Sequence, residues 1–348
     1  MAVDTSVAVR RVPASLGILL LLALLLLAGG VSVMTGAYPL QLSDVIASLW
    51  PRIEADPLAQ MVLQDVRLPR LILGLLAGAV LAVSGALLQG LFRNPLADPG
   101  LIGVSAGAGL AAVAVIVLGS TWLSGWTAFT GRWALPLAAF MGGSLVTFLA
   151  WRIAHRQGQT SVATLLLAGI AINAIAGAGT GLLTFMADDA QLRSLTFWSM
   201  GSLAQATWSD IAVAGPWMLL ALLLAPLLAR PLDAFLLGEP VAGHLGYSVD
   251  WVKRAAILLA ALGVGAAVAV TGLIGFVGLV VPHLMRQLFG AGHHLLLPAS
   301  ALAGGVLLVA ADAAARVVVA PAELPIGLVM ALVGGPFFLG LLLRNRMV

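Results

Sequence analysis

Residues 71–91 read LILGLLAGAVLAVSGALLQGL and contain no charged side chain. As an α-helix rising about 1.5 Å per residue, this run is about 30 Å long, which matches the hydrocarbon core of a bilayer. Such runs recur along the chain, in which 61% of the residues are hydrophobic and only 9% are charged. The sequence of 348 residues therefore predicts an all-α fold, a polytopic membrane helix bundle that forms a single domain over 1–348.

Apolar stretches of about 17–25 residues, bounded by charge, proline or polar turns, predict about ten transmembrane helices between 14 and 345. They lie near 14–35, 70–91, 97–119, 133–151, 161–186, 208–229, 252–271, 274–289, 295–317 and 326–343. An N-terminus in the cytoplasm puts eleven of the 17 lysines and arginines on the inner side, so the positive-inside rule places both termini there. The polar stretch 36–69 then lies outside, where a short amphipathic element is expected, and 230–254 forms an inner loop.

Small residues are spaced for close helix packing at Gly74/Gly78, Gly103/Gly107 and Gly177/Gly181. Residues 103–107 also fit the Gly-x-Ser-x-Gly pattern of a catalytic serine. That pattern needs a strand–turn–helix elbow, whereas here it opens an apolar helix. The pattern therefore indicates helix packing, and we predict no catalytic residue.

The composition excludes several classes of site. Without cysteine, the chain has no disulfide, thiolate metal site or c-type haem attachment. Its single lysine, Lys253, follows valine, so the sequence has no glycine-lysine phosphate loop and any ATP would act through a partner. The arginines are scattered singly at the ends of apolar runs, which does not indicate a nucleic-acid partner. The histidines are expected in inner loops, apart from one in the eighth span, and no metal site is predicted: His155, His244, His283, His293 and His294.

Several blocks of sequence resemble one family. These blocks are RLPR at 67–70, SGALLQG at 84–90, RNPLADPGLIGVSAG at 93–107, GFVGLVVPH at 275–283 and AELPIG at 322–327. Together they resemble the FecCD-type permeases, the membrane subunits of ABC importers for iron-siderophores, haem and cobalamin. The resemblance implies a type II importer permease with about ten spans in a bacterial inner membrane, without catalysis or a tightly bound cofactor of its own. It further implies a second copy of the chain, two ATPase subunits inside and a substrate-binding protein outside.

The resemblance also gives roles to individual positions. The segment that couples to the ATPase would consist of Leu237, Gly238, Glu239, Pro240, Gly243, His244 and Gly246, with Glu239 as its polar contact. The arginines that dock the binding protein at the outer rim would be Arg67, Arg70 and Arg316. The loops that narrow the inner mouth would contribute Asn94, Leu96, Thr160 and Ser161. The fifth and tenth spans and a short helix at about 191–205 would line the pathway.

The segment DDAQLRSLTFWSMG at 188–201 resembles the haem-transporting branch of the family. Haem is a flat apolar macrocycle with two propionates, so Arg193 could bind a carboxylate while neighbouring side chains contact the ring. The predicted pathway residues are Phe185, Met186, Arg193, Phe197 and Trp198. The alternative is that Arg193 marks a helix end and that Phe197 and Trp198 belong to an interfacial aromatic belt. An iron-siderophore or cobalamin remains open as the cargo.

One pair of residues favours a rival class of protein. Asp312 and Arg316 lie four apart near the outer end of the ninth span, and ionisable groups inside membranes often carry protons in secondary transporters. The alternative is a structural i, i+4 ion pair that leaves Arg316 free to reach the rim, and we favour it. An intramembrane enzyme is a third class, but the sequence offers no convincing catalytic set for it.

Overall fold

A computed structural model of the chain describes residues 13–36, 38–49, 56–320 and 322–345, which form a helical bundle. Its α-helices, numbered along the chain, are α1 Ala14–Met34, α2 Leu42–Leu49, α3 Pro57–Met61, α4 Leu68–Phe92, α5 Val104–Leu118, α6 Ser124–Thr130, α7 Ala134–Ala154, α8 Val162–Met186, α9 Asp189–Ser199, α10 Trp208–Leu224, α11 Ala229–Leu236, α12 Glu239–His244, α13 Val249–Thr271, α14 Val277–Phe289, α15 His293–Val317 and α16 Ile326–Asn345. Short 3-10 turns occupy Pro99–Ile102, Gly131–Trp133 and Ala225–Leu228, and a π-helical turn, Val62–Arg67, leads into α4. Two short antiparallel strands, β1 His155–Arg156 and β2 Gln159–Thr160, form a hairpin between α7 and α8.

Each predicted span overlaps a helix. The length and composition of these helices, however, do not confirm that about ten of them cross the membrane. Seven helical stretches of the described chain are long and apolar enough to cross a membrane: Ala14–Met34, Pro57–Phe92, Ser124–Ala154, Val162–Met186, Trp208–Leu236, Val249–Thr271 and His293–Val317. The other three predicted spans are shorter. Val104–Leu118 and Ile326–Leu341 are apolar, and α14, which contains Pro282, has only 13 residues. In the polar stretch 36–69, α2 and α3 take the place of the single short element that was expected.

Helix α4 forms the centre of the bundle and packs against α10, α13, α14 and α15. Glycines allow its closest contacts, because a Cβ on Gly78 would overlap the carbonyl of Gly304 and one on Gly85 would overlap that of Gly278. Gly107 packs in the same way against Gly142 of α7, so the predicted role of the glycines is confirmed at Gly78 and Gly107. The predicted role in packing is wrong within this chain for Gly177 and Gly181, because neither has a described atom within 4 Å of an added Cβ.

The two ends of the bundle carry different features. Helix α12 and the hairpin lie at the N-terminal end of α13, which we call the α12 end. Helix α9 lies at the other end of α13, the α9 end, where the Ser202 amide donates to the Thr271 carbonyl at 2.7 Å. There the Gly327 amide of α16 also donates to the Met200 carbonyl at 3.0 Å, and a side chain at 327 would overlap that carbonyl. The end of α9 is therefore fixed to both α13 and α16.

Candidate functional site

Two glycines define the ends of α12 through their backbone conformation. Gly238 precedes the helix with a φ of 109°, and Gly246 follows it with a φ of 89°. The Gly246 amide donates to the Gly243 carbonyl at 3.0 Å, and the Tyr247 amide donates to the Ala242 carbonyl at 3.1 Å. This is the Schellman pattern, which requires a left-handed residue after the helix and favours glycine there. The glycines predicted in the coupling segment thus shape a compact one-and-a-half-turn helix.

An apolar ridge lies on and beside α12, with Leu237 before the helix, Val241 within it and Leu245 after it. Leu237, Val241 and Leu245 lie four residues apart and are 67%, 42% and 60% exposed, whereas Ala242 on the other side is buried. The prediction from sequence included Leu237 but missed Val241 and Leu245. Val241 and Leu245 lie four residues apart, and this i, i+4 spacing was the signal that could have found them. Leu237 stands outside this helical spacing, because Gly238 with its φ of 109° separates it from the helix. His244 adds no free Nδ1 to this surface, because that atom hydrogen-bonds within the helix to the Pro240 carbonyl at 2.6 Å.

Glu239, the expected polar contact for an ATPase, is paired inside the chain. Its Oε2 lies 2.8 Å from Nζ of Lys253, and its side chain is 33% exposed. Lys253 itself is buried on the first turns of α13. The carboxylate therefore links α12 to the bundle and presents only part of its surface to a partner.

The two predicted gate segments lie in the connections that lead into the 3-10 turn Pro99–Ile102 and into α8. In the first, Asn94 Oδ1 accepts the Leu96 amide at 2.9 Å, which closes a tight turn after α4. The 3-10 turn that follows packs on α8, where a side chain at Gly169 would overlap the Leu101 carbonyl. In the second, Thr160 is buried in β2, and Ser161 caps α8 by accepting the Thr164 amide at 3.3 Å. Helix α8 thus begins directly after the second segment and contacts the 3-10 turn that follows the first.

The three arginines expected at the outer rim lie at the α9 end, but their side chains are buried. Nε and Nη2 of Arg70 donate to the Asp312 carboxylate at 2.9–3.0 Å, and Nη1 donates to Glu323 at 3.1 Å. Asp312 also pairs with Arg316 at 3.2 Å, which agrees with the i, i+4 ion pair that we favoured. The expectation that Arg316 is free to reach the rim is wrong for this structure, because its guanidinium also donates to Ser32 and to the Thr35 carbonyl.

Arg67 belongs to a neighbouring contact at the same end. It is buried, and its Nη2 donates to the Tyr38 carbonyl at 3.3 Å. The Tyr38 hydroxyl in turn donates to Asp56 at 3.1 Å, and this hydrogen bond to a carboxylate raises the pKa of the phenol. Arg67 thus holds the segment between α1 and α2 against α4, rather than pointing freely outward.

The predicted pathway residues divide into an exposed group and one packed residue. Asp188 and Gln191 form a capping box at the start of α9, and Gln191 Nε2 donates to the Val117 carbonyl at 3.2 Å. With α9 held in this way, four side chains are exposed: Phe185, Met186, Arg193 and Phe197. Trp198 differs from this group, since it is half-buried and packs against the core.

Arg193 stands out chemically among these exposed residues. It makes no hydrogen bond or ion pair with any other residue that the structure describes, in contrast to the buried arginines nearby. Phe197, one turn further along α9, is 62% exposed, and Phe185 at the end of α8 is 88% exposed. The arrangement can offer one guanidinium and an apolar surface to a ligand that carries a carboxylate.

The histidines differ in part from expectation. His293 is the first residue of α15 and is fully buried, rather than lying in a loop. The Asp233 carboxylate accepts hydrogen bonds from its backbone amide at 2.8 Å and from its ring Nδ1 at 2.7 Å. His155, in β1, stacks on Trp151 with ring centres 5.1 Å apart. Within the described ranges, no three or more histidine, aspartate or glutamate residues group as metal ligands.

Comparison with known proteins identifies the family. The model of the FecCD transport family matches residues 20–344. The chain belongs to the FecCD transport family. It is 46% identical over 331 residues to the hemin transport system permease protein HmuU of Yersinia pestis, covering 95% of this chain and 96% of that protein. It is also 43% identical over 290 residues to the cobalamin import system permease protein BtuC of Halobacterium salinarum, covering 83% of this chain and 75% of that protein.

A solved structure supports the fold of this FecCD permease. A metal-chelate type ABC transporter in an inward-facing conformation superposes with a TM-score of 0.82 at 32% identity, covering 94% of this chain and 98% of that one. The observed bundle is therefore the architecture of an ABC transport permease, and the sequence-based assignment of the family is confirmed.

Proposed function

We propose that this FecCD permease is the membrane-spanning subunit of a binding-protein-dependent ABC importer for haem. It would move haem from the outer face to the cytoplasm by ATP-driven alternating access. The observation that carries the proposal is the exposed guanidinium of Arg193 on α9, with exposed Phe197 one turn along the same helix and exposed Phe185 and Met186 at the end of α8. A propionate fits the guanidinium and a porphyrin ring fits the apolar side chains. The similarity to a hemin permease over nearly the whole length supports this cargo.

The proposed topology has about ten spans, with both termini and the α12 end in the cytoplasm of a bacterium. Helices α5, α14 and α16 would complete the ten crossings, because a segment buried among other helices can be short or kinked. The whole chain then forms one transmembrane domain, with 14–345 as the bundle and 230–254 as its cytoplasmic coupling loop. The charge count behind this orientation includes Arg10, Arg11, Arg52 and Arg346 and the side chain of Arg344, which lie outside the described residues.

A second copy of the chain is the proposed partner within the membrane. Helix α8 leaves Leu167, Ile175 and Leu182 exposed at 68%, 70% and 62%, and α16 leaves Leu332 exposed at 66%. Gly177 and Gly181 lie on the same helix α8 without packing partners among the described residues. Small residues favour close helix contacts in lipid, which supports a homodimer with α8 and α16 near the shared pathway.

The remaining proposed partners bind at the two ends of the bundle. Two ATPase subunits would bind the apolar ridge of α12, so that ATP acts through them and the permease holds no tight cofactor. A substrate-binding protein would dock at the α9 end, where Glu323 of the arginine network is partly exposed. Docking through Arg67, Arg70 and Arg316 requires that the incoming carboxylates share these side chains with their internal partners. The cargo is bound transiently, the bundle sits in lipid, and no nucleic-acid partner is proposed.

The test is uptake by the assembled complex in proteoliposomes with ATP inside, offered haem, a ferric siderophore and cobalamin in parallel. We expect haem to accumulate at least about tenfold faster than either competitor, as differential recognition of a carboxylate-bearing ring predicts. Faster uptake of cobalamin, the cargo in the name of the Halobacterium salinarum relative, would overturn the assignment of haem. Faster uptake of the siderophore would overturn it equally, while both results would leave the importer class intact.

A further inference from the structure

The only lysine of the chain connects three segments at the α12 end. Nζ of Lys253 donates to the Glu239 carboxylate at 2.8 Å and to the Thr160 carbonyl at 2.7 Å. Glu239 is the first residue of α12, and Thr160 is the last residue of β2, directly before α8. One buried ammonium therefore bridges the proposed ATPase-binding helix and the proposed gate.

The contact is made where packing between α12 and the hairpin is incomplete. A cavity of about 360 Å³ lies at this junction, and its walls include Arg156, Thr160, Thr164, Glu239 and Lys253. The apolar side chains of Leu237, Val241 and Leu245 do not line this cavity and are exposed. The ammonium spans this junction, and its charge-assisted hydrogen bonds are stronger and more directional than apolar contacts.

The hairpin is also held from its other side. The Thr160 hydroxyl donates to Asp250 Oδ1 at 2.7 Å, and His155 Nδ1 lies 3.1 Å from the same hydroxyl. Asp250 forms an ion pair with Arg254, one turn further along α13. These groups fix the hairpin to α13 but do not contact α12. Within the described contacts, Lys253 alone reaches both Glu239 and the hairpin.

We propose that Lys253 is a positioning residue that transmits displacement of α12 to the gate in front of α8. A movement of Glu239 would pull the ammonium and, through it, the Thr160 carbonyl, which precedes Ser161, the N-cap of α8. Loss of the ammonium would leave a buried carbonyl and a partly buried carboxylate without their donor, so the two segments would move independently. This inference rests on the proposed function, because it assumes that ATPase subunits move α12.

The first experiment measures the connection itself, in the permease alone. Because the chain has no cysteine, spin labels can be placed on Gln159→Cys and Val241→Cys, both at exposed positions, without removing native thiols. In nanodiscs we expect a narrow distance distribution between the two labels, which broadens at least about twofold in Lys253→Met. Arg254→Met is the matched control, since it removes a neighbouring positive charge without touching α12, and it should keep the narrow distribution.

The second experiment measures the consequence in the unlabelled complex. Lys253→Met should keep basal ATP hydrolysis and dimer assembly but lower the haem imported per ATP hydrolysed by about tenfold, a typical size for coupling between sites. Arg254→Met should stay within about twofold of wild type. Lys253→Gln, which replaces the ammonium by a neutral amide NH2 group, takes the place of the methionine variant if that variant fails to assemble.

The outcomes separate the inference from the proposed function. An unchanged distance distribution in Lys253→Met, or unchanged import per ATP, would overturn the role of Lys253. Absence of haem import by the wild-type complex would instead overturn the proposed cargo, and the spin-label result would still test the connection. Equal broadening in Lys253→Met and Arg254→Met would show general loosening of the hairpin, which also contradicts a specific role for Lys253.

Discussion

At the scale of single residues, burial changed the interpretation of the arginines. The sequence shows which arginines sit at helix ends, and it pairs Asp312 with Arg316 through their spacing. It could not show that Arg70 binds the same aspartate, because these residues are 242 positions apart and meet only when α4 packs on α15. Long-range partners of a buried charge depend on tertiary packing, so a pattern of local spacing does not contain them.

Replacing Arg70 by methionine tests how much the buried ion pairs among Arg70, Asp312 and Arg316 stabilise the fold. The change leaves the Asp312 carboxylate with Arg316 as its remaining ion-pair partner among the described residues and removes the contact to Glu323. Breaking a buried ion pair from one side typically costs about 3–5 kcal/mol. We expect a decrease of that order in the free energy of unfolding, measured in detergent through tryptophan fluorescence.

Arg132→Met is the matched control for this prediction. Arg132 pairs with Asp210 at 3.6 Å, but its side chain is 57% exposed. An exposed ion pair contributes about 0–1 kcal/mol, so this variant should unfold close to wild type. Equal stability of the Arg70→Met and Arg132→Met proteins would show that the buried cluster does not stabilise the fold, and a free docking role for Arg70 would then be favoured.

At the scale of elements, hydropathy predicted the helices and missed the connections. The predicted span 161–186 became Val162–Met186, since Ser161 provides an N-cap that could be read from its residue type. The hairpin between α7 and α8 was not predicted, because its two-residue strands carry no periodic pattern. Family resemblance predicted the gate residues. The hydrogen bonds that join Glu239 to Thr160 through Lys253 could be seen only in the structure. The ridge of α12 was accessible from spacing but overlooked.

Replacing Gly78 by alanine tests whether glycine sets the distance between α4 and α15. A Cβ there would overlap the Gly304 carbonyl, which is backbone and cannot move aside as a flexible side chain could. Overpacking of this kind costs about 1–3 kcal/mol, so the free energy of unfolding should fall by that amount.

Gly30→Ala provides the comparison within the same bundle. Gly30 lies in α1, is exposed, and has no described atom within 4 Å of an added Cβ. Because alanine is the better helix former by up to about 1 kcal/mol, this variant should be as stable as wild type or slightly more stable. If Gly78→Ala behaved in the same way, close glycine contacts would not determine the packing of α4.

At the scale of the whole molecule, the described residues expose apolar side chains on the surfaces to which we assign the proposed partners and cargo. Helices α8 and α16 expose leucines along their length, α12 exposes an apolar ridge, and the α9 end exposes Arg193 among apolar side chains. Composition alone predicted that ATP would act through a partner, since Lys253 is the only lysine and does not follow glycine. Family resemblance supplied the identity of the partners. The shape of each surface came only from the structure.

The central claim is that this permease is a gate moved by ATPase subunits and carries nothing uphill by itself. The most direct measurement is haem accumulation in proteoliposomes that contain either the permease alone or its complex with the ATPase and binding protein. We predict accumulation only by the complex, only with ATP, and unchanged when an ionophore dissipates the proton gradient. Accumulation by the permease alone that collapses with the proton gradient would contradict the account and make the chain a secondary transporter.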